Sequence, residues 1–219
     1  MVIKAINFDF YGTIVDWVPV WTEVTEKIIS DNDLNLDSLD LAIEWRMAQR
    51  KFVEEKEFTW YKEYIKMALD DVCAKYKVEN KGYENLLFEK WKEMQPFEEV
   101  GSTLLKLKEK YPLAVCSNSA RDFLDYCTAK LPINFDYVNI SDETKVNKPH
   151  KKMYDLAQNS LGYDKSEILH VASSQMDVKG ATEAGFVVAW INRRGQERFA
   201  NTPKPSYEIR KLDELLELW

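Results

Sequence analysis

An apolar run near the amino terminus, Val2-Ile3-Lys4-Ala5-Ile6-Asn7-Phe8, ends in an acid, Asp9, and then turns through Phe10-Tyr11-Gly12-Thr13. A carboxylate at the carboxyl end of a buried strand stands where open α/β sheets place their reactive groups. There it can act as a nucleophile and form a covalent ester; an Asp in this place also caps the turn that follows. Ser117 and Asn118 close a second apolar run, Leu113–Cys116, and on their own read as caps for a helix beginning near Ala120. Lys148 precedes Pro149, which biases the Lys out of helical backbone and can open the next helix. The ammonium then sits on a loop tip directed back at the sheet, where it would keep a neighbouring carboxylate ionised and hold an anionic substrate. Asp177 follows a further such run, Leu169-His170-Val171-Ala172, at the start of a helix that packs through Gly180-Ala181. Arg46, and Arg50 one turn later, offer guanidiniums, which stay charged and fork their donors toward anions.

These residues need elements to position them. From Trp17 to Gln95 there is almost no Gly or Pro, and apolar residues recur at helical spacing, as in Val24, Ile28 and Ile29 or Leu41, Trp45 and Ala48, which predicts a wholly helical stretch. From Val100 onward short apolar strands alternate with helices. The expected helices are Thr103 to Lys110, Arg121 to Lys130, Lys151 to Leu161 and Val178 to Ala184; the strands are Leu113 to Cys116, Tyr137 to Ile140, Ile168 to Ala172 and Val187 to Ile191. That alternation predicts an α/β domain, a Rossmann-like parallel sheet covered on both faces. The expected division is a core of residues 1–15 and 96–219 and an inserted all-helical cap of residues 16–95, lying over the nucleophile strand. Arg193 to Pro205 reads as a surface loop and Leu212 to Leu218 as a closing helix. Trp60, Tyr61 and Tyr64 could line a pocket, although aromatics at helical spacing also make core. His150 and His170 have no partner at ligand spacing and read as structural.

Composition narrows the function classes. At 219 residues the chain can bury a substantial core, and its formal charge of −7 gives no electrostatic case for a nucleic-acid partner. Cys73, Cys116 and Cys127 are scattered without CxxC spacing, which points to buried thiols in a reducing compartment rather than disulfides. No charged leader precedes the first strand, and no apolar run of about 18 residues occurs. The expectation is a cytoplasmic enzyme with no membrane partner.

The string Phe8-Asp9-Phe10-Tyr11-Gly12-Thr13 resembles motif one of the haloacid dehalogenase superfamily. The form nearest to this chain is that of its (S)-2-haloacid dehalogenases, in which Tyr rather than a second Asp stands two places after the nucleophile. A halide leaves as a stable anion and needs no proton, so the substitution has a chemical reason. Ser117-Asn118 is similar to motif two and Lys148-Pro149 with Tyr154 to motif three. Ala172-Ser173-Ser174-Gln175-Met176-Asp177 resembles motif four, and Trp45-Arg46 the cap pair whose guanidinium receives the halide.

The resemblance implies a mechanism and a site. Asp9 attacks the α-carbon of a 2-haloacid, Arg46 and Asn118 receive the halide, and Thr13, Ser117 and Lys148 hold charge around the reacting centre. Asp177 orients Lys148 and the water that cleaves the ester. Tyr11, Gly12, Tyr154, Ser173 and Ser174 contact the substrate. No cofactor is implied, the substrate is a small anion, and a homodimer is a common assembly in the family. The usual Ser-Ser-Asn-Ala-Trp-Asp of motif four is altered here: a hydroxyl is lost at Ala172, Ser174 is shorter than Asn, and Met176 replaces a pocket Trp. The superfamily's phosphatases carry a further acid at or near Ser173 and bind magnesium with it, so the alternatives are a magnesium-dependent phosphatase of a small metabolite and a non-catalytic binding relative.

Overall fold

The computed structural model describes residues 2–55 and 57–218; Met1, Lys56 and Trp219, which fall within the expected core and helical stretch, lie outside the described residues. The first apolar run forms β1 (Ala5–Phe8), buried along its whole length. A two-residue strand, β2 (Val15–Asp16), leads into four helices, α1 (Val18–Asp31), α2 (Ser38–Glu55), α3 (Tyr61–Tyr76) and α4 (Tyr83–Lys90). The chain then returns through β3 (Gln95–Pro96), which pairs antiparallel with β2, Val15 opposite Pro96 and Asp16 opposite Gln95. Gln95 therefore belongs to a ladder rather than to the helical stretch, and the ladder ties the outgoing and returning chains together.

The alternating half follows: α5 (Val100–Lys108), β4 (Leu113–Ser117), α6 (Arg121–Thr128), β5 (Tyr137–Ile140), α7 (Ser141–Thr144), α8 (Lys151–Leu161), β6 (Ile168–Ala172), α9 (Gln175–Ala184), β7 (Val187–Ile191) and β8 (Tyr207–Ile209). The six-stranded sheet runs β5-β4-β1-β6-β7-β8, parallel throughout. Strands β4, β6 and β7 are buried at every residue, which is why they read as continuous apolar runs. Strand β8 was not foreseen: three residues with a glutamate in the middle give no apolar run. The closing segment is helical but of the 3-10 kind, Leu212–Glu217.

The strand order places the site. β1 lies between β4 and β6, and the connection leaving β1 passes to one side of it and later to the other. The carboxyl ends of these three strands border the crevice in which open α/β sheets bind ligands. The helices between β2 and β3 rest over it on an aromatic seam: Trp91 stacks on Phe123 of α6, and its indole N–H donates to Tyr11 Oη at 3.1 Å. Within the helices Trp45, fully buried, donates from its Nε1 to the Ile65 carbonyl at 2.8 Å. Tyr64 is fully buried too, whereas Trp60 is exposed.

Candidate active site

Asp9, Lys148 and Asp177 meet at the strand ends. Lys148 Nζ lies 2.8 Å from Asp9 Oδ1 and is also bonded to Asp177 Oδ2, with all three side chains nearly withdrawn from solvent at 7%, 12% and 5% exposure for Lys148, Asp9 and Asp177. Burial alone would raise the Asp177 carboxyl, but the Lys148 ammonium and His170 outweigh it and hold the group well below the usual carboxylate range. For Lys148 burial works against the charge, and the two carboxylates override it, so the ammonium is held above the ordinary lysine range.

Each member is fixed by a second residue. Thr13 donates its hydroxyl to Asp9 Oδ2 at 3.4 Å and accepts the Ser173 backbone N–H at 2.9 Å. Gly12, at φ +86°, permits the turn between them; a Cβ there would stand 2.8 Å from Ser173 Oγ. Asn118 Nδ2 donates to the Lys148 carbonyl at 3.0 Å and its Oδ1 accepts the Lys148 N–H at 2.7 Å. The amide expected to receive a halide is thus engaged at both ends with the Lys148 backbone, leaving one N–H of its Nδ2 for anything else.

Tyr154 departs from its expected place. It is fully buried and donates to Asp177 Oδ1 at 2.8 Å, behind the carboxylate rather than in the cavity. With α8 beginning at Lys151, residue 154 falls on the face that packs against α9, where Gly180 makes room: a Cβ at Gly180 would collide with the phenol. Tyr11 lines the cavity, but its hydroxyl is bonded to Ser119 Oγ at 3.0 Å as well as to Trp91. Burial raises this phenol well above its usual value, so it stays protonated.

His170, read from the sequence as structural, joins the network. Asn7 Nδ2 lies 2.8 Å from His170 Nδ1, and an amide N–H can only donate, so Nδ1 accepts. The ring proton is then on Nε2, which donates to Asp177 Oδ1 at 3.1 Å. The signal was present: Asn7 and His170 are polar residues inside buried apolar strands, and they are register partners of β1 and β6. A buried imidazole needs partners for both nitrogens. His150, by contrast, caps α8 by accepting the Lys152 N–H.

Above the triad opens a cavity of about 640 Å³, bounded by Asp9, Ser117, Asn118, Lys148, Ser173, Ser174, Met176 and Asp177 below and by Arg46, Arg50 and Tyr61 of the helices above. The Arg46 guanidinium carbon lies 4.6 Å from the Trp17 ring centre and 5.1 Å from that of Trp21, and its Nη1 is buried without a hydrogen-bond partner. The loop after β7, expected at the surface, also forms part of the wall: Gln175 bonds the Glu197 carbonyl at 2.8 Å and the Phe199 N–H at 2.7 Å, folding residues 196 and 199 inward. Arg193 in the same loop donates to Glu99 Oε1 at 2.7 Å and to the Thr13 carbonyl at 2.8 Å. Among the described residues no group of three acidic, His or Cys side chains is arranged to hold a metal ion.

Known proteins are similar to this chain in sequence and fold. The profile of the haloacid dehalogenase-like hydrolase family matches residues 3–185. The chain is 29% identical to the (S)-2-haloacid dehalogenase of Pseudomonas sp. (strain YL), over 99% of this chain and 94% of the relative. It is 28% identical to haloacetate dehalogenase H-2 of Moraxella sp. (strain B), over 99% and 97%. Among solved structures, an L-2-haloacid dehalogenase superposes with a TM-score of 0.88 at 25% identity, covering 99% of this chain and 98% of the other. The L-2-haloacid dehalogenase of Xanthobacter autotrophicus gives 0.86 at 23% identity, over 99% and 98%, and shares the fold.

Proposed function

The chain belongs to the haloacid dehalogenase-like hydrolases, and from that membership and the site geometry we propose that it hydrolyses a 2-haloacid to a 2-hydroxy acid through an ester on Asp9, without a metal ion. The observation that carries this reading is that no group beside Asp9 is poised to release a proton. Tyr11 is held protonated by burial and its hydroxyl is tied to Ser119 and Trp91. Asp177 is held ionised, and Lys148 is held charged between two carboxylates. An alkoxide leaving group needs a general acid, whereas a halide does not.

In the proposed reaction an Asp9 oxygen bonds to the substrate α-carbon as the carbon–halogen bond breaks, and the halide departs with the bonding pair. Arg46, partnerless at Nη1, receives it. Ser117 and Lys148 hold the substrate carboxylate. Water, positioned by Asp177, adds to the ester carbonyl; the aspartyl C–O bond then breaks, which restores Asp9 and releases the 2-hydroxy acid and one proton. The helices of residues 16–95 act as a cap that supplies Arg46 and closes the cavity, and residues 1–15 and 96–219 act as the core. The buried free thiols Cys73, Cys116 and Cys127 suit a reducing, cytoplasmic setting.

The test is halide release from L- and D-2-chloropropionate in excess chelator, with magnesium-dependent hydrolysis of p-nitrophenyl phosphate run beside it. Halide without metal, abolished in Asp9→Asn with the circular dichroism spectrum retained, is the expected result. Phosphate release only with magnesium would replace this reading with a phosphatase.

A further inference from the structure

A short 2-haloacid presents one carboxylate and one halide, and the groups just assigned to them leave two cations of the cavity wall over, the exposed Arg194 of the loop after β7 and the partly buried Arg50 of α2. Arg50 stands one helical turn after Arg46 on the same face of α2, and both line the cavity that opens on Asp9. Like charges at this spacing destabilise a helix, and burial together with the Arg46 charge lowers the Arg50 guanidinium from its ordinary value. Among the described residues neither guanidinium sits in a close ion pair, although the Glu54 carboxylate acts on Arg50 at longer range. Arg46 Nη1 has no hydrogen-bond partner, and Arg50 Nη1 donates only to the Met47 sulfur, at 3.9 Å. Glu54, one turn further along and in the same wall, forms no ion pair with Arg50 among the described residues. The fold pairs its other partly buried arginine at this cavity: Arg193 meets Glu99 at 2.7 Å. Two adjacent cations left unpaired in a partly closed site mark a place for anionic groups from outside. The cavity has room for more than a short acid, since about 640 Å³ falls within the range of about 300–1,000 Å³ that encloses far larger ligands.

We propose that Arg50, beside Arg46, binds a second carboxylate of the substrate, so that this site takes 2-halo dicarboxylic acids in preference to 2-halo monocarboxylic ones. The proposal rests on the dehalogenase reading and names its substrate class. The covalent steps are unchanged, and the product is a 2-hydroxy dicarboxylate with one halide and one proton released.

The test compares kcat/KM for halide release from 2-chlorosuccinate and 2-chlorobutyrate, which differ mainly in the second carboxylate, in the wild type and in Arg50→Leu and Arg50→Lys. A bidentate charge-assisted contact in a desolvated site is expected to give the wild type about a ten- to hundredfold preference for 2-chlorosuccinate. Arg50→Leu should erase that preference, mostly through KM, and Arg50→Lys should restore part of it. Inhibition by succinate against butyrate in the wild type gives the same ratio without turnover, so the measurement holds even if a variant fails to fold. Halide release from both acids with no preference for the diacid, or a preference that survives Arg50→Leu, overturns the second-carboxylate site and leaves the dehalogenase reading standing. No halide from either acid, nor from 2-chloropropionate, overturns both.

Discussion

Replacing Lys148 by Met removes the single cation shared by two buried carboxylates while keeping most of the side-chain volume. In the wild type Nζ touches both Asp9 and Asp177, and the three groups are 7%, 12% and 5% exposed, so solvent screens the pair little. Breaking a buried ion pair by deleting one partner costs about 3–5 kcal/mol, because the remaining charge is left without compensation. For a chain of this length that is a fall in Tm of about 6–20 °C. The pH dependence gives the sharper test. In the wild type the depressed Asp177 contributes stability that is present above the unfolded value of about 4 and is lost as pH falls through its folded value. The raised Lys148 contributes stability present below its unfolded value of about 10.4 and lost as pH rises through its folded value. In Lys148→Met the sign reverses for Asp177: a buried carboxylate without its cation holds a proton to higher pH, so the variant is penalised most where that group must ionise. The deficit relative to wild type, read from denaturant midpoints at fixed pH, should be greatest near pH 7–8 and shrink as pH approaches about 4. A variant whose deficit is negligible at neutral pH, or grows on acidification, would refute the buried triad.

His170→Phe removes the donor to Asp177 Oδ1 and leaves the Asn7 amide without its acceptor. It should cost about 1–3 kcal/mol and move the acid limb of the stability profile to higher pH, since His170 is one of the groups that hold Asp177 down; unchanged acid behaviour would count against the network. Gly12→Ala places a side chain at φ +86° and against Ser173 Oγ, and should destabilise by more than about 1 kcal/mol. The double variant with Ser173→Gly separates the contact from the backbone strain, which alone should remain.

The sequence exposed what depends on local pattern. The buried strand before Asp9, the helix and strand alternation after Val100 and the helical insertion all follow from apolar spacing, and each recurs in the structure with its bounds shifted by a few residues. What it hid depends on side chains meeting across long separations. His170 reads as one polar residue in an apolar strand until β1 is laid beside β6 and Asn7 becomes its neighbour. Tyr154 keeps the expected spacing from Lys148, yet the start of α8 and the missing Cβ of Gly180 turn it behind Asp177. Asn118 looks free at the end of β4 because nothing in its surroundings announces that the Lys148 backbone, thirty residues on, will take both ends of its amide.

The balance of charge explains why the helical insertion belongs to the chemistry and does more than shelter it. The ionised side chains that touch at the strand ends are two acids and one base, Asp9, Asp177 and Lys148, and so carry a net negative charge. A carboxylate substrate brought within about 4 Å of one such charge meets a repulsion of about 4 kcal/mol at the effective dielectric of a partly exposed site. Thr13 and Ser117 offer hydroxyl dipoles against this, and Thr13 is already spent on Asp9 and Ser173. The added positive charge comes chiefly from α2, whose Arg46 and Arg50 face the same cavity, with the exposed Arg194 of the loop after β7 at its wall. On the proposed function, the triad alone repels the substrate that its nucleophile must attack, and the site gains its buried cations only when α2 lies over it. The ladder between β2 and β3 and the contacts of Trp91 with Tyr11 and Phe123 fix that placement. Loosening the seam should therefore weaken substrate binding and, because Arg46 receives the halide, slow carbon–halogen cleavage with it.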